Sequence, residues 1–284
     1  MKAASWPTGT HYVDEANLAA AFFIGVARGG DDPLMFEKQA QTWKGRSWNE
    51  VANSVRRLAK VLVDAGIGAG DRVMVSAENR PEWAIADLAI MAIGAIVVPA
   101  YVTNTEDDHF FIMDHSGASA VITSGGLLSA RIALAASRML GLHTMILMDD
   151  DAVVPTIKSI NIHYWNAVID ASDPLADLDQ RIAAQRPDDV CCFIYTSGTG
   201  GRPKGVMLTH RSIQSNIDAA ITLLKEADAA SNQRFLSLLP LSHSYEHTAG
   251  LHLPLQTKSE VWYCESAEQI AANLLEVSPT LMTA

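Results

Sequence analysis

The sequence contains little cysteine and a deficit of basic residues. Only three of its 284 residues are cysteine: Cys191 and Cys192 are adjacent in an apolar run, and Cys264 is distant. Adjacent cysteines rarely pair and no C-x-x-C spacing occurs, so we predict a reducing, cytoplasmic environment with buried thiols. Lys and Arg number 21 against 32 Asp and Glu, which gives a net charge of −11. This surplus of acid disfavours nucleic-acid binding, which depends on basic side chains that neutralise phosphates.

The sequence also lacks a signal peptide pattern and an uninterrupted membrane span. Near the amino terminus, Asp14 and Glu15 come before a short apolar patch, whereas a signal peptide has cationic, apolar and small residues in that order. The segment from Trp83 to Val102 is long enough to cross a bilayer, but Asp87 interrupts it and only Leu88 to Val98 is free of charge and proline. We interpret it as a helix followed by a buried strand.

Apolar strands alternate with helical patterns along the first two thirds of the chain. Strands are predicted in DRVMVSA, AIVVPAY, ASAVITS and HTMILMDD, with helices between them. Continuous apolar strands separated by helices indicate an α/β protein whose parallel sheet is covered on both faces. Nearer the amino terminus, LMFEKQAQTWKGRSWNEV predicts a hairpin with Gly45 in its turn.

A polar stretch divides the chain into two predicted subdomains. It runs from about Ala171 to Asp189 and is rich in Asp, Gln and Arg. We predict a first α/β subdomain over residues 1–185 and the start of a second over residues 186–284.

The segment YTSGTGGRPKGVMLTH, from Tyr195 to His210, combines glycine, hydroxyl residues, proline and lysine between two predicted strands. Glycines let a ligand approach the backbone closely, and successive N–H groups form a concave site for anionic oxygens. A lysine ammonium contributes about 4 kcal/mol against a phosphate charge about 4 Å away at an effective dielectric of about 20. The candidate phosphate-binding residues are Thr196, Ser197, Gly198, Thr199, Gly200, Gly201 and Lys204.

The same segment is compatible with a plain surface turn, and it partly resembles a Walker phosphate-binding loop. A surface turn between strands can also be rich in Gly and Ser. The Walker pattern requires Ser or Thr directly after the lysine, whereas Lys204 is followed by Gly205. We therefore favour a phosphate-binding loop that is not of the Walker type.

The loop resembles the signature of the adenylate-forming superfamily, which includes acyl-CoA synthetases, luciferases and peptide-synthetase adenylation domains. Gly200 stands where that family usually has Thr, which removes one hydroxyl. The segments GDRVMVSAENRPEWAIADLAIMAIGAIVVPAY and LSLLPLSHSYEHTAG are similar to the long-chain fatty acyl-CoA ligase branch. The resemblance implies the large amino-terminal domain of an acyl-CoA synthetase, with sheets flanked by helices.

The resemblance also implies a two-step reaction. A carboxylate attacks the α-phosphate of ATP and expels pyrophosphate, and the thiol of coenzyme A then displaces AMP from the acyl-AMP. The implied substrates are a fatty acid, ATP and CoA, with Mg²⁺ as the metal cofactor and the loop around Lys204 on the β and γ phosphates. A lipid substrate is compatible with peripheral membrane association, and the oligomeric state is left open. Another carboxylic-acid CoA ligase or an adenylation domain is the alternative within the superfamily.

His243 is the candidate catalytic residue in LPLSHSYEHTAG. By resemblance it lies beside the carboxylate and thioester site, whereas its structural alternative is a residue that caps or packs a helix start. His243, Glu246 and His247 also match H-x-x-E-H, the inverted zinc-protease motif. Zinc hydrolysis would require a third ligand and a continuous helix, and Pro240 lies close upstream. We therefore disfavour it.

Several segments of the resembled family do not occur in this sequence. There is no Tyr-Gly-x-Thr-Glu segment, which would carry the magnesium-binding Glu, and no carboxy-terminal lid with its catalytic lysine. We interpret the chain as a truncated, amino-terminal part of such an enzyme and predict that it does not turn over ATP and acid alone. A non-catalytic binding module, with a sheet edge that pairs with another chain, is the alternative from a different class.

Overall fold

The computed structural model describes residues 17–196 and 202–283, which form two β-sheets and the helices that cover them. The strands are β1 (Pro33–Gln39), β2 (Thr42–Ser47), β3 (Arg72–Ser76), β4 (Ile96–Pro99), β5 (Ala118–Thr123), β6 (Thr144–Leu147), β7 (Asn161–Tyr164), β8 (Val190–Thr196), β9 (Lys204–Thr209), β10 (Arg234–Ser237), β11 (Glu260–Tyr263) and β12 (Leu281–Met282). The helices are α1 (Leu18–Gly29), α2 (Trp48–Asp64), α3 (Pro81–Ala92), α4 (Glu106–Ser116), α5 (Gly126–Ala136), α6 (Trp165–Ala171), α7 (Leu178–Ala184), α8 (His210–Glu226), α9 (Ser244–Glu246), a π-helix (His247–His252), α10 (Leu253–Gln256) and α11 (Ile270–Val277).

The larger sheet has seven strands in the order β7-β6-β5-β3-β4-β8-β9. All its neighbours pair in parallel except β8 and β9, which form an antiparallel hairpin at one edge. The predicted α/β class is confirmed. The four apolar strands of the sequence analysis are β3 to β6, at the predicted places.

Helix α3 and strand β4 account for the long apolar segment from Trp83 to Val102. Every residue of α3 is buried, and Pro81 occupies its first turn, where a missing N–H costs nothing. Apart from Glu82 and Asp87, the residues of α3 are apolar on every face, which is the composition expected of a helix inside a protein core. Among the described residues, no helix has both the length and the apolar character needed to cross a bilayer.

The smaller sheet has the order β12-β10-β11-β1-β2 and joins distant parts of the chain. Strand β1 pairs in parallel with β11, so that Met35 lies opposite Val261. Strands β8 and β9 belong to the larger sheet although they follow residue 185. Strand pairing therefore crosses the predicted boundary between residues 185 and 186 in both sheets, and the two-subdomain division stays a proposal.

The predicted turn at Gly45 is wrong, although the hairpin itself is present. Ala40 and Gln41 make the turn between β1 and β2 with φ angles of 45° and 67°, the left-handed geometry that closes two-residue hairpins. Gly45 lies inside β2 opposite Phe36, and a Cβ there would come within 2.8 Å of the Phe36 ring. Glycine is required at this position by the aromatic ring and not by a turn.

His109 in α4 is a buried histidine whose two ring nitrogens have no hydrogen-bond partner among the described residues. Burial, assisted by Arg131, lowers the pKa of His109 from 6.5 to about 4. The unfolded chain therefore takes up a proton below pH 6.5 that the folded chain does not accept until about pH 4. Because the unfolded state binds more protons in this window, stability falls as pH drops through it.

We expect His109→Leu to raise the free energy of unfolding by about 1–2 kcal/mol at about pH 5, because it removes two buried unpaired polar atoms and one titrating group. Urea unfolding at about pH 5 and about pH 7.5 measures this, with the half-buried His163 replaced by Leu as the control. An unchanged pH dependence in His109→Leu would contradict the assignment.

Candidate active site

The β8–β9 hairpin brings the two ends of the glycine-rich segment together. Thr196 at the end of β8 lies opposite Lys204 at the start of β9 in the antiparallel register, and both residues are exposed. The predicted strands on either side of the loop are confirmed. The remaining candidate phosphate-binding residues lie outside the described residues, so their roles stay predictions; these are Ser197, Gly198, Thr199, Gly200 and Gly201.

An aromatic cluster formed by α4 and β8 lies at the loop end of this hairpin. The hydroxyl of Tyr195 and Nδ1 of His115 are joined by a 2.9 Å hydrogen bond, and the Phe111 ring meets Tyr195 edge-on. A Cβ at Gly205 would lie 3.1 Å from Cζ of Tyr195, so glycine gives that ring its space. The guanidinium of Arg202 lies 5.5 Å from the centre of the Phe111 ring. These contacts tie the residues that flank the loop to the rigid sheet and helix.

A cavity of about 450 Å³ opens beside the hairpin. It lies at the carboxyl ends of the parallel strands β4 and β8, the edge at which open α/β sheets bind ligands. The residues that line it are Pro99, Ala100, Tyr101, Asn104, Asp108, Ile112, Ile194, Tyr195, Thr196, Pro203, His243 and Ser244. The structure therefore brings two predicted site residues, Thr196 and His243, to the same cavity. Sequence reasoning missed Tyr101 and Asn104. Their position at or just after the end of the predicted strand AIVVPAY could have indicated that they line a ligand site.

His243 both caps a helix and lines this cavity. Its Nδ1 accepts a 3.2 Å hydrogen bond from the backbone N–H of Tyr245, and it is the N-cap residue of α9. Its side chain is exposed at the cavity wall. A role in helix capping is compatible with a role in the cavity, because the capping hydrogen bond fixes the orientation of the imidazole ring.

Asn79 holds the chain that leads from β10 to His243. Its Nδ2 donates to the carbonyl of Leu239 at 2.7 Å and to the hydroxyl of Ser237 at 3.1 Å. Its Oδ1 accepts from the N–H of Leu241 at 2.9 Å. Asn79 follows the carboxyl end of β3, so the larger sheet fixes the segment that carries His243. Sequence reasoning missed this residue, whose partners are about 160 positions away.

A second, largely apolar groove of about 480 Å³ lies between α8 and the segment from α9 to α10. Ser244 lines both this groove and the cavity, so the two spaces adjoin. The lining residues are Leu208, Ser212, Ile213, Asn216, Ile217, Ala220, Ser244, Tyr245, Thr248, Ala249 and Leu253. Ile213, Ile217 and Ala220 have the i, i+4, i+7 spacing of one helix face, which was the signal available in the sequence.

The three residues of the H-x-x-E-H motif do not converge. Among residues 17–196 and 202–283, the group whose ligand atoms could hold a metal is Asp87, His247 and His252, without His243 or Glu246. Glu246 is buried and accepts hydrogen bonds from the hydroxyls of Ser237 and Thr283. Its burial raises the pKa of its carboxyl group. The described structure thus provides no zinc-protease arrangement at this motif.

The fold and the site together define an α/β protein in which the β8–β9 hairpin borders a cavity of mixed polarity and an apolar groove adjoins that cavity. The family described as AMP-binding enzyme matches residues 23–284, and the chain belongs to this family.

Curated relatives give the same family and a more specific likeness. The chain is 28% identical over 284 residues to the long-chain-fatty-acid–CoA ligase FadD15 of Mycobacterium tuberculosis, covering 95% of this chain and 44% of the relative. It is 31% identical over 250 residues to long-chain-fatty-acid–CoA ligase 6 of Rattus norvegicus, covering 84% and 35%. The chain therefore spans less than half the length of these relatives.

Solved structures confirm the fold. A benzoate CoA ligase from Burkholderia xenovorans LB400 has a TM-score of 0.76 at 23% identity, over 94% of this chain and 49% of that one. The inhibitor-bound N-terminal domain of FACL13 from Mycobacterium tuberculosis also has a TM-score of 0.76, at 20% identity, over 95% of this chain and 63% of that one. The expected acyl-CoA synthetase-like amino-terminal domain, with two sheets flanked by helices, is confirmed.

Proposed function

We propose that the protein carrying this chain activates a long-chain fatty acid with ATP, through acyl-AMP, and transfers the acyl group to coenzyme A. The observation that carries the proposal is the junction at Ser244 between the cavity, whose wall carries Asn104, Thr196 and His243 among apolar residues, and the more apolar groove. A fatty acid has a charged carboxylate and a long apolar chain, and this pair of adjoining spaces matches both parts. Membership of the AMP-binding enzyme family supports the acid–CoA ligase class. The preference for a long acyl chain is supported by the relatives that are long-chain-fatty-acid–CoA ligases, at 28% and 31% identity.

The loop between Thr196 and Lys204 is proposed to hold the β and γ phosphates of ATP. Thr196 offers a hydroxyl and Lys204 an exposed ammonium at the two ends of the loop, where their strands are paired. Backbone N–H groups of the glycine-rich segment between them would supply the remaining donors. Mg²⁺ would enter with ATP as the counter-ion that neutralises phosphate charge during the displacement.

The chain's own residues position the reacting groups. A carboxylate oxygen attacks the α-phosphorus, the bond from that phosphorus to the bridging oxygen breaks, and pyrophosphate leaves. Lys204 would stabilise the negative charge that grows on pyrophosphate, and His243 would orient the carboxyl group at the cavity wall. Fixed donors are effective here because they need no reorganisation when the charge develops.

A substrate comparison tests this proposal. We expect the full-length protein to convert palmitate with a kcat/KM at least about tenfold above that for acetate or benzoate, because a longer apolar chain buries more surface in the groove. Release of pyrophosphate in the presence of each acid measures the first step. Equal or better use of the small acids would refute the long-chain assignment and favour another carboxylic-acid CoA ligase. Absence of pyrophosphate release with every acid would favour a non-catalytic binding protein.

His243→Ala tests the catalytic assignment. We expect the rate of thioester formation to fall about tenfold or more without unfolding, because the carboxyl group loses an oriented imidazole at the cavity wall. The Tm falls only slightly, since the lost cap is worth about 1 kcal/mol. His243→Asn is the matched control, because Asn also caps helices but lacks the imidazole. Unchanged kinetics in both variants would assign His243 to helix capping alone.

A further inference from the structure

A single buried carboxylate connects α3 to the π-helix that follows His243. Asp87 is fully buried, and Nε2 of His247 donates to its Oδ1 at 2.8 Å. Nε2 of His252 lies 3.2 Å from the other oxygen, Oδ2, but the geometry does not make a hydrogen bond, and neither atom has a hydrogen-bond partner among the described residues. The imidazoles beside Asp87, His247 foremost, hold the pKa of its carboxyl group well below the usual range against the opposing effect of burial. One carboxylate therefore contacts two histidines from the same helical turn, one of them through a hydrogen bond.

The two histidines reach the same carboxylate because their turn is π-helical. They are five residues apart, and in an α-helix residues at i and i+5 are separated by about 140° around the axis. A π-helix pairs i with i+5, so these residues lie almost above one another. Residues 247–252 form that wider turn, between the α-helical segments α9 and α10. Asp87 thus has two contacts that an ordinary α-helical turn would not supply together.

The opposite face of the same turn forms a wall of the apolar groove. Thr248 and Ala249 line the groove from within the π-helix, and Tyr245 and Leu253 line it from either side. Neighbouring contacts fix the inner face further, because Trp83 meets the His247 ring edge-on with ring centres 5.8 Å apart. Gly250 faces the Glu246 carboxyl group so closely that a Cβ there would lie 2.2 Å from it. The inner contacts therefore set the position of the groove-lining residues.

We propose that Asp87 is a positioning residue for acyl-chain binding: by holding His247 and His252 it maintains the π turn that sets the groove wall and the orientation of His243. This inference rests on the proposed function for its link to fatty acids. Without the carboxylate, the segment regains ordinary α-helical hydrogen bonding. This shift by one residue rotates the residues before the turn by about 100° relative to those after it.

Two substitutions at one position separate hydrogen bonding from packing. In Asp87→Asn, the amide Oδ1 still accepts from His247 and Nδ2 can donate to Nε2 of His252. In Asp87→Leu, a side chain of similar size makes neither contact. We expect the Kd for palmitate, measured by calorimetry on the full-length protein, to rise about tenfold in the Leu variant and less than about twofold in the Asn variant. The Kd for ATP should stay within about twofold in both.

A spectroscopic measurement tests the same inference without a fatty acid. In protein labelled with ¹³C at histidine, we expect the ring signal of His243 to shift in Asp87→Leu and to keep its position in Asp87→Asn. Ile132→Ala, in the separate core around α5, is the control for general destabilisation and should leave the His243 signal in place. If Asp87→Leu does not fold, His252→Gln and His252→Leu form an equivalent pair, of which only the Leu variant should move the signal.

Specific results would overturn the inference. Equal palmitate affinity in the Asn and Leu variants, together with an unmoved His243 signal, would show that Asp87 does not position the groove. Stoichiometric metal in the purified wild-type protein, lost in both Asp87 variants, would show that the three residues ligate a cation instead. If the wild-type protein binds no palmitate, the proposed function fails, and the His243 signal alone then decides whether Asp87 holds the turn.

Discussion

Replacement of Lys204 by Met is expected to lower ATP-dependent acyl-adenylate formation about a hundredfold or more. The variant keeps most of the length of the side chain but removes the positive charge from the end of the loop that we propose to bind phosphate. Charge that is fixed where negative charge develops is commonly worth about 10²–10³ in rate. Because the lysine side chain is exposed at the start of β9, the free energy of unfolding should change by less than about 0.5 kcal/mol. Pyrophosphate release from the full-length protein with saturating fatty acid measures the effect.

The matched control for this experiment is Lys225→Met. Lys225 is an exposed lysine in the last turn of α8, away from the residues that line the cavity. It should retain the wild-type rate. A Lys204→Met variant that forms acyl-adenylate as fast as Lys225→Met would contradict the assignment of the loop to ATP.

Replacement of Ala220 by Phe is expected to change chain-length preference strongly. Ala220 lines the apolar groove, where a phenyl ring would take space that a long acyl chain needs. We expect kcat/KM for palmitate to fall about a hundredfold, while kcat/KM for acetate changes less than about threefold, because overfilling a packed apolar site commonly costs about 1–3 kcal/mol. Steady-state kinetics with both acids measures the difference.

The neighbouring Ala219 provides the control on the same helix. It is exposed and does not line the groove, so Ala219→Phe adds the same ring to solvent. Equal losses with palmitate and acetate in Ala220→Phe would point to a general disturbance of α8. Unchanged palmitate kinetics would show that the acyl chain binds elsewhere.

Local patterns allowed the sequence to predict most elements of the larger sheet. Strands β3 to β6 are continuous apolar runs, and Pro81 marks the first turn of α3 in both the sequence and the structure. The hairpin turn was assigned wrongly because glycine occurs both in turns and inside strands where a neighbouring side chain leaves no room for a Cβ. At Gly45 it accommodates the Phe36 ring across the sheet, a contact that no local pattern contains.

Pairing between distant segments could not be predicted in the same way. The parallel pairing of β1 with β11 joins Met35 to Val261, and the chain between them includes the whole larger sheet. The residues of β1 and of β11 predict a partly buried strand in each case, but they do not identify the partner strand. The choice of partner depends on how the helices close over the sheets, which the sequence of a single strand does not specify.

The candidate site was predictable only in part for the same reason. The glycine-rich loop is contiguous, so a short segment was enough to predict its flanking strands β8 and β9 and to propose phosphate binding. The cavity combines Tyr101 and Asn104 with Thr196 and His243, which meet only after the sheet has formed. The π turn at His247 depends on Asp87, which is 160 positions away, and no helical periodicity predicts it.

The central claim is that the loop between β8 and β9 binds the polyphosphate of ATP, and amide hydrogen exchange on the full-length protein tests it most directly. Exchange in peptides that span residues 193–210 should slow when ATP or pyrophosphate is added, because backbone N–H groups become hydrogen-bonded to phosphate oxygens. AMP lacks the β and γ phosphates and should protect these amides much less. Protection by ATP elsewhere in the protein, with exchange in residues 193–210 unchanged, would contradict the account.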